Sequence, residues 1–146
     1  MLYLFTWNSE YLVKQEVKAW KDRFTSKYWE FNLIHIKDIE TVDNNFLNTN
    51  ITASSFLAEK KLIIIDLKKE KKSTDNDNKE WAKKDDFFLK TLQNIASENI
   101  VLINIVEPDK RSKLFKELSK ISEHKEFSTK WESDIYSIIN NKYSWK

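Results

Sequence analysis

The sequence predicts an α/β fold: a parallel sheet of about five strands with helices on both faces. Three observations carry that expectation. Short runs of β-forming residues alternate with stretches of helical periodicity from one end of the chain to the other. Two of the runs, LIII at 62–65 and IVLINIV at 100–106, are near-continuously apolar instead of alternating, which is the mark of strands covered on both sides. No apolar run reaches the roughly 18 residues that would span a membrane.

The elements follow in order. Residues 2–6 (LYLFT) form a short apolar first strand. A Trp7-Asn8-Ser9 turn comes next, where Asn8 or Ser9 can cap a helix and Glu10 sits well in its first turn. Val13, Val17, Trp20 and Phe24 then recur at spacings of four, three and four, which predicts a helix with one buried face. Residues 31–36 (FNLIHI) read as the second strand. A helix capped by Asp43 is expected over 43–51, although asparagine is a poor helix former. A short helix at 54–59, with serine as its cap, leads into the strand at 62–66. The run KKEKKSTDNDNKE at 68–80 is charged and turn-rich, and reads as a mobile loop. Phe88, Leu92 and Ile95, with Leu89 and Ala96 beside them, mark the next helix. After the strand at 100–106, Pro108 and Asp109 break the chain and start a helix with Leu114, Leu118 and Ile121 on one face. HKEF at 124–127 is a short last strand, and Ile135, Ile138 and Ile139 belong to a final helix.

Composition excludes more than it suggests. The 146 residues contain no glycine, where ordinary usage of roughly 7% would give about ten. That removes every glycine-rich phosphate loop, and leaves asparagine to serve wherever a left-handed residue is needed. There is no cysteine, hence no disulfide, thiolate nucleophile or zinc–cysteine site, and His35 and His124 are the only histidines. The 25 basic and 23 acidic residues nearly balance, and all the bases but Arg23 and Arg111 are lysine. Arginine is the residue of bidentate phosphate and base recognition, so a direct DNA reader is not expected. The apolar start MLYLFTW lacks the basic flank and length of a signal peptide, and a cytoplasmic location is the default.

Few residues invite chemistry. Ligands of doubly wound sheets bind at the carboxyl ends of strands. TWNSE after the first strand has neither the glycines nor the lysine of a phosphate loop. Asp66 ends the LIIID strand, where a magnesium-binding acid could sit, but it has no evident partner acid and reads as a turn residue. His35 lies in a strand with no evident aspartate or serine partner, and His124 lies in a solvated Lys/Glu-rich stretch. No metal or cofactor is expected.

Three stretches taken together resemble one family. YLFTWNSEYLVKQEVKAWKDRF at the start, SSFLAEKKLIIIDL in the middle and NIVLINIVEPDKRSKLFKELSK beyond it are similar, in order and spacing, to the delta subunit of the bacterial DNA polymerase III clamp loader. The middle stretch carries the family's hallmark: a small residue, two bulky apolar ones, a basic pair, then an aliphatic strand. The resemblance implies an AAA+/RecA-like first domain with a degenerate phosphate loop, no catalytic site and no cofactor. It implies a non-catalytic role in DNA replication, binding and opening the sliding clamp. The clamp contacts would be Phe56 and Leu57, an aromatic–aliphatic pair suited to anchoring an interface. Other clamp-loader subunits would be partners of the full-length protein, with DNA contacted only indirectly and no membrane involved. Full-length members carry two further domains, so residues 1–146 are expected to be the first alone. The bland alternative makes Phe56 and Leu57 core residues. A different class of function, a small phosphate- or nucleotide-handling enzyme on the same fold, would use Asp66 and Glu107; an orphan scaffold domain is the third reading.

The family usually has glycine where this chain has Trp7, and Trp29, Trp131 and Trp145 also fall in turn-like contexts. A gene that encodes glycine as UGA, read with a code in which UGA is tryptophan, would produce both the glycine void and these tryptophans. On that reading at least some of the six tryptophans are glycine in the native protein, with positions 7, 29, 131 and 145 the ones that decide it.

Overall fold

Leu62, Ile63, Ile64 and Ile65 are all buried. Successive strand residues point to opposite faces, so such a row needs cover on both. The structure, a computed structural model, describes residues 1–54, 60–67 and 75–127, with 75–83 by backbone alone. Its elements are β1 (Leu2–Trp7), α1 (Glu10–Lys27), β2 (Leu33–Ile36), α2 (Asn44–Thr52), β3 (Lys61–Leu67), α3 (Asp75–Leu92), β4 (Asn99–Val106), α4 (Lys113–Ile121) and β5 (Glu123–Phe127). Among the described residues the five strands form one sheet in the order β2-β3-β4-β1-β5, every pair parallel. The predicted fold class is the observed one.

Among the described residues one helix covers one face and three cover the other. Val13, Val17 and Phe24 of α1 pack with Phe5, Trp7, Leu62, Ile64 and Leu102. On the opposite face Leu4, Ile63, Ile65, Val101 and Ile103 meet Leu47 and Ile51 of α2, Phe88, Leu89 and Leu92 of α3, and Phe115 and Leu118 of α4. Each fully buried aliphatic or aromatic side chain is worth about 1.5–3 kcal/mol. That scale explains α2, which is rich in asparagine and a poor helix former on its own. Burial of Leu47 and Ile51, at 1% and 0% exposure, outweighs the propensity deficit. The Asp43 side chain accepts from the Asn45 N–H at 3.3 Å and caps the helix as expected.

Other elements differ from the sequence reading. β2 starts at Leu33, because residues Glu30–Asn32 form a 3-10 turn that leaves Phe31 exposed. The charged run at 68–80 is not a loop throughout: α3 begins at Asp75. Ser9 occupies the cap position of α1 without a side-chain cap bond. The helix expected after Asp109 starts at Lys113, where the Ser112 hydroxyl accepts from the Phe115 N–H at 3.1 Å. Phe115 supplies the buried face there, and Ile121 is exposed. The helix expected at 54–59 and the one containing Ile135, Ile138 and Ile139 fall outside the described residues.

The sheet ends in two short edges. β2 has four residues, and in β5 Glu123, His124, Lys125 and Glu126 are all exposed. The one described residue with positive φ is Glu107, at 49°, directly after β4. Glutamate, not asparagine, therefore takes the left-handed position in this glycine-free chain. Its N–H donates to the Trp7 carbonyl at 2.7 Å, which ties the ends of β4 and β1 together. A β-branched residue is poorly tolerated there. Urea unfolding should find Glu107→Val less stable than Glu107→Gly by about 1–2 kcal/mol; equal stabilities would contradict the left-handed backbone.

Candidate functional site

The chain reverses its direction of travel between β1 and β4. From β1 it crosses to β2, and from β4 it crosses past β1 to β5. In open α/β sheets the crevice at the carboxyl ends of such strands is the ligand position. Strand alternation decides which side chains reach it on the α1 face. Asn104 lies two residues beyond Leu102 and Asp66 two beyond Ile64, while His35 sits opposite Ile64 in the β2–β3 register. All three therefore share the face of Trp7, Leu62 and Leu102.

These four side chains form a continuous polar chain across four adjacent strands. The Trp7 indole N–H donates to Asn104 Oδ1 at 3.1 Å, within the buried interior. Asn104 Nδ2 donates to Asp66 Oδ1 at 3.0 Å. The other carboxylate oxygen, Oδ2, lies 2.6 Å from His35 Nε2. Trp7 is 3% exposed, stacks on Phe127 at 4.2 Å and 12°, and meets Trp20 of α1 at 6.2 Å. Burial pushes the Asp66 carboxyl upward. The hydrogen bonds from His35 and Asn104, and the charges of His35 and Lys21, outweigh it and hold Asp66 below the ordinary carboxylate value.

The arrangement holds an anion and leaves little of it for a ligand. Both Asp66 oxygens have protein partners, and the carboxyl end of β1 is filled by an indole backed by a phenyl ring. Among the described residues no three His, Asp or Glu side chains are grouped to hold a metal. Glu107, the other acid of the phosphate-enzyme reading, is exposed at the end of β4.

His35 has the aspartate partner that the sequence reading did not give it; the two lie 31 residues apart and become neighbours only through the β2–β3 pairing. His124 is exposed, but its Nε2 lies 3.0 Å from the Thr6 hydroxyl and its ring stands edge-on to Phe115 at 5.6 Å. Trp7 is not a turn residue. It ends β1, and neither it nor Trp29 has the positive φ that would call for glycine; Trp131 and Trp145 lie outside the described residues. Phe56 and Leu57 also lie outside them, so the structure places only their flanks. On one side the Ser54 hydroxyl donates to the Glu98 carboxylate at 3.0 Å. On the other, Lys61 opens β3 opposite Asn99 of β4.

Two measurements check the polar chain. Replacing Trp7 by glycine empties a packed site and should cost about 3 kcal/mol or more, read as a lower urea midpoint; unchanged stability would restore glycine as the residue that fits there. Asp66 has a depressed folded-state pKa. Its contribution is fully present above the unfolded carboxylate value of about 3.9 and is lost as pH falls through the folded value. Below about pH 4 the parent should therefore shed stability that Asp66→Asn does not, and parallel stability–pH curves would refute the linkage.

The comparisons with known proteins agree with this architecture. The chain is similar to the Bacillus subtilis DNA clamp loader delta protein (YqeN), with a TM-score of 0.65 and 20% sequence identity. The similarity covers 99% of this chain and 44% of that one, so this chain spans less than half its length. At that identity the likeness is one of fold. No curated protein matches the chain. The model of the family described as DNA polymerase III, delta subunit, matches residues 3–128. With a match over most of its length, running from β1 through β5, the chain belongs to the DNA polymerase III delta subunit family.

Proposed function

We propose that this chain is the clamp-binding part of a clamp-loader delta subunit, acting in DNA replication without catalysis of its own. The observation that carries the proposal is the family match over residues 3–128. The similar solved structure bears the name of a clamp loader delta protein, which supports the same reading. Phe56 and Leu57 are the anchors: two bulky apolar side chains in sequence, inserted into an apolar pocket of the sliding clamp, supply the concentrated burial that dominates interface energetics. Opening the ring is a consequence of binding one of its conformations more tightly than the other. Other clamp-loader subunits are partners of the full-length protein.

The turn after β1 is a phosphate loop that has lost its function. Its supports are the buried Trp7 indole at the end of β1 and an Asp66 carboxylate already bonded by His35 and Asn104. No helix among the described residues is long and apolar enough to cross a membrane.

The test is direct. The chain should bind the cognate sliding clamp in a surface or calorimetric assay, and Phe56→Ala combined with Leu57→Ala should weaken binding by on the order of 100-fold or more, the effect of losing two hot-spot side chains. A double variant that binds like the parent would sink the anchor assignment. Titration with ATP and magnesium should give no heat of binding; measurable heat would favour a nucleotide-handling function instead.

A further inference from the structure

Helix α4 has two faces of opposite character. Phe115 and Leu118 are buried in the core beneath it. Lys113, Lys116 and Lys120 follow one another at spacings of three and four residues, and all three are exposed. At 3.6 residues per turn they fall within one stripe of about 60°, on the side away from Phe115 and Leu118. Arg111, exposed in the turn before the helix, adds a fourth cation. The surface here is hollowed into an open groove of about 470 Å³ lined by Arg111, Lys113, Lys116 and Lys120 around Phe115, and Glu117 is the one acid among its lining residues. The concentration is local: residues 110–120 hold five bases and one acid, in a chain with 25 and 23.

The existing partners of these cations hold them weakly. Lys113 Nζ lies 3.6 Å from the Asp86 carboxylate and Lys120 Nζ lies 3.4 Å from that of Glu117. Both pairs are solvent-exposed, and exposed ion pairs contribute little, so a denser anion displaces them at small cost. Among the described residues Arg111 and Lys116 make no ion pair. Every cation of the groove reaches solvent. That suits an extended polyanion better than a small ligand, which calls for an enclosing and largely apolar pocket. From Lys113 to Lys120 the helix rises about 10 Å. The same distance along a DNA duplex passes about three phosphates of one strand.

We infer that the outer face of α4, with Arg111, is a contact surface for the phosphate backbone of duplex DNA. It reads no sequence. Lysine supplies mobile point charges and not the rigid fork that grips base edges, in keeping with the scarcity of arginine along the chain. The chain belongs to a DNA polymerase III subunit family, which makes duplex DNA the polyanion at hand. Affinity comes from the counterions that the phosphates release, so it is modest and falls steeply with salt. The inference goes beyond clamp binding, which needs no contact with DNA, and does not rest on it.

The experiment titrates labelled DNA duplexes of unrelated sequence with the chain, by fluorescence anisotropy, between about 50 and 200 mM salt. The parent should bind the duplexes equally, and the logarithm of its binding constant should fall against the logarithm of salt with a slope of about −3 to −4, near one for each cation. Lys116→Ser should weaken binding about tenfold at low salt and lower the slope by about one. Lys113→Ser/Lys116→Ser/Lys120→Ser should lose on the order of 100-fold or more. All three positions are exposed, so the thermal midpoint should stay that of the parent. Lys14→Ser/Lys18→Ser/Lys37→Ser removes the same charge from exposed positions outside α4 and should change affinity by no more than about threefold, because distant surface charges are screened. If this control weakens binding as much as the α4 variant, general charge attraction explains the binding and the surface assignment is overturned. A parent that binds no duplex at low salt overturns it too, as does one that binds phosphatidylserine vesicles but not DNA. The clamp takes no part in the measurement, so failure of the clamp-binding reading is read separately.

Discussion

Two strands that must be hidden on both sides determine the rest of this molecule. β3 and β4 carry Ile63, Ile64, Ile65, Val101 and Ile103, each with essentially no exposed surface. Neither strand can lie at an edge or face water, so both sit inside the sheet with helices above and below. Parallel neighbours cannot be joined by tight turns, which is why a helix-bearing crossover follows almost every strand. The long α1 crossover from β1 to β2 lays Val13, Val17 and Phe24 over one face. α2, α3 and α4 cover the opposite side. The reversal of direction between β1 and β4 follows from the same arrangement, and with it the crevice where related folds keep their ligands.

In this chain that crevice is internally satisfied. A buried carboxylate requires partners, and Asp66 finds them in His35 and Asn104. Asn104 finds its own donor in Trp7. The four residues come from four strands, so the polar chain resists relative sliding of those strands as well as filling the space. An α/β sheet of this topology can thus fill its crevice with its own side chains, which take the hydrogen bonds and the volume. Such a site serves the stability of the scaffold, since it ties four neighbouring strands together through buried hydrogen bonds.

The fold was legible because its strongest signals are local. The rows at 62–65 and 100–106 announce covered strands, and Val13, Val17 and Phe24 announce the face of α1 without reference to anything distant. The boundaries were harder. Asp75 lies in a sequence full of turn formers, yet helix α3 begins there. Phe31, a strand former by type, ended in a 3-10 turn. The polar sites were not legible at all. The pairing of His35 with Asp66 spans 31 positions, and that of Trp7 with Asn104 spans 97. No periodicity reports such contacts, since register between strands creates them. Trp7 was misread for the same reason: its context in sequence is turn-like, and only the ring of Phe127, brought alongside by β5, shows it to be core. The basic pair at the start of β3 was visible, but the carbonyl that Lys61 serves belongs to a different element.

The two edges of the sheet carry a consequence for how this chain meets others. A long, flat, apolar edge invites a foreign strand to extend the sheet. Here one edge is four residues long, and the other presents Glu123, His124, Lys125 and Glu126 to solvent. Neither offers a template for backbone pairing. Among the described residues both edges thus disfavour strand addition, the mode of recognition whose main-chain hydrogen bonds any extended peptide can make.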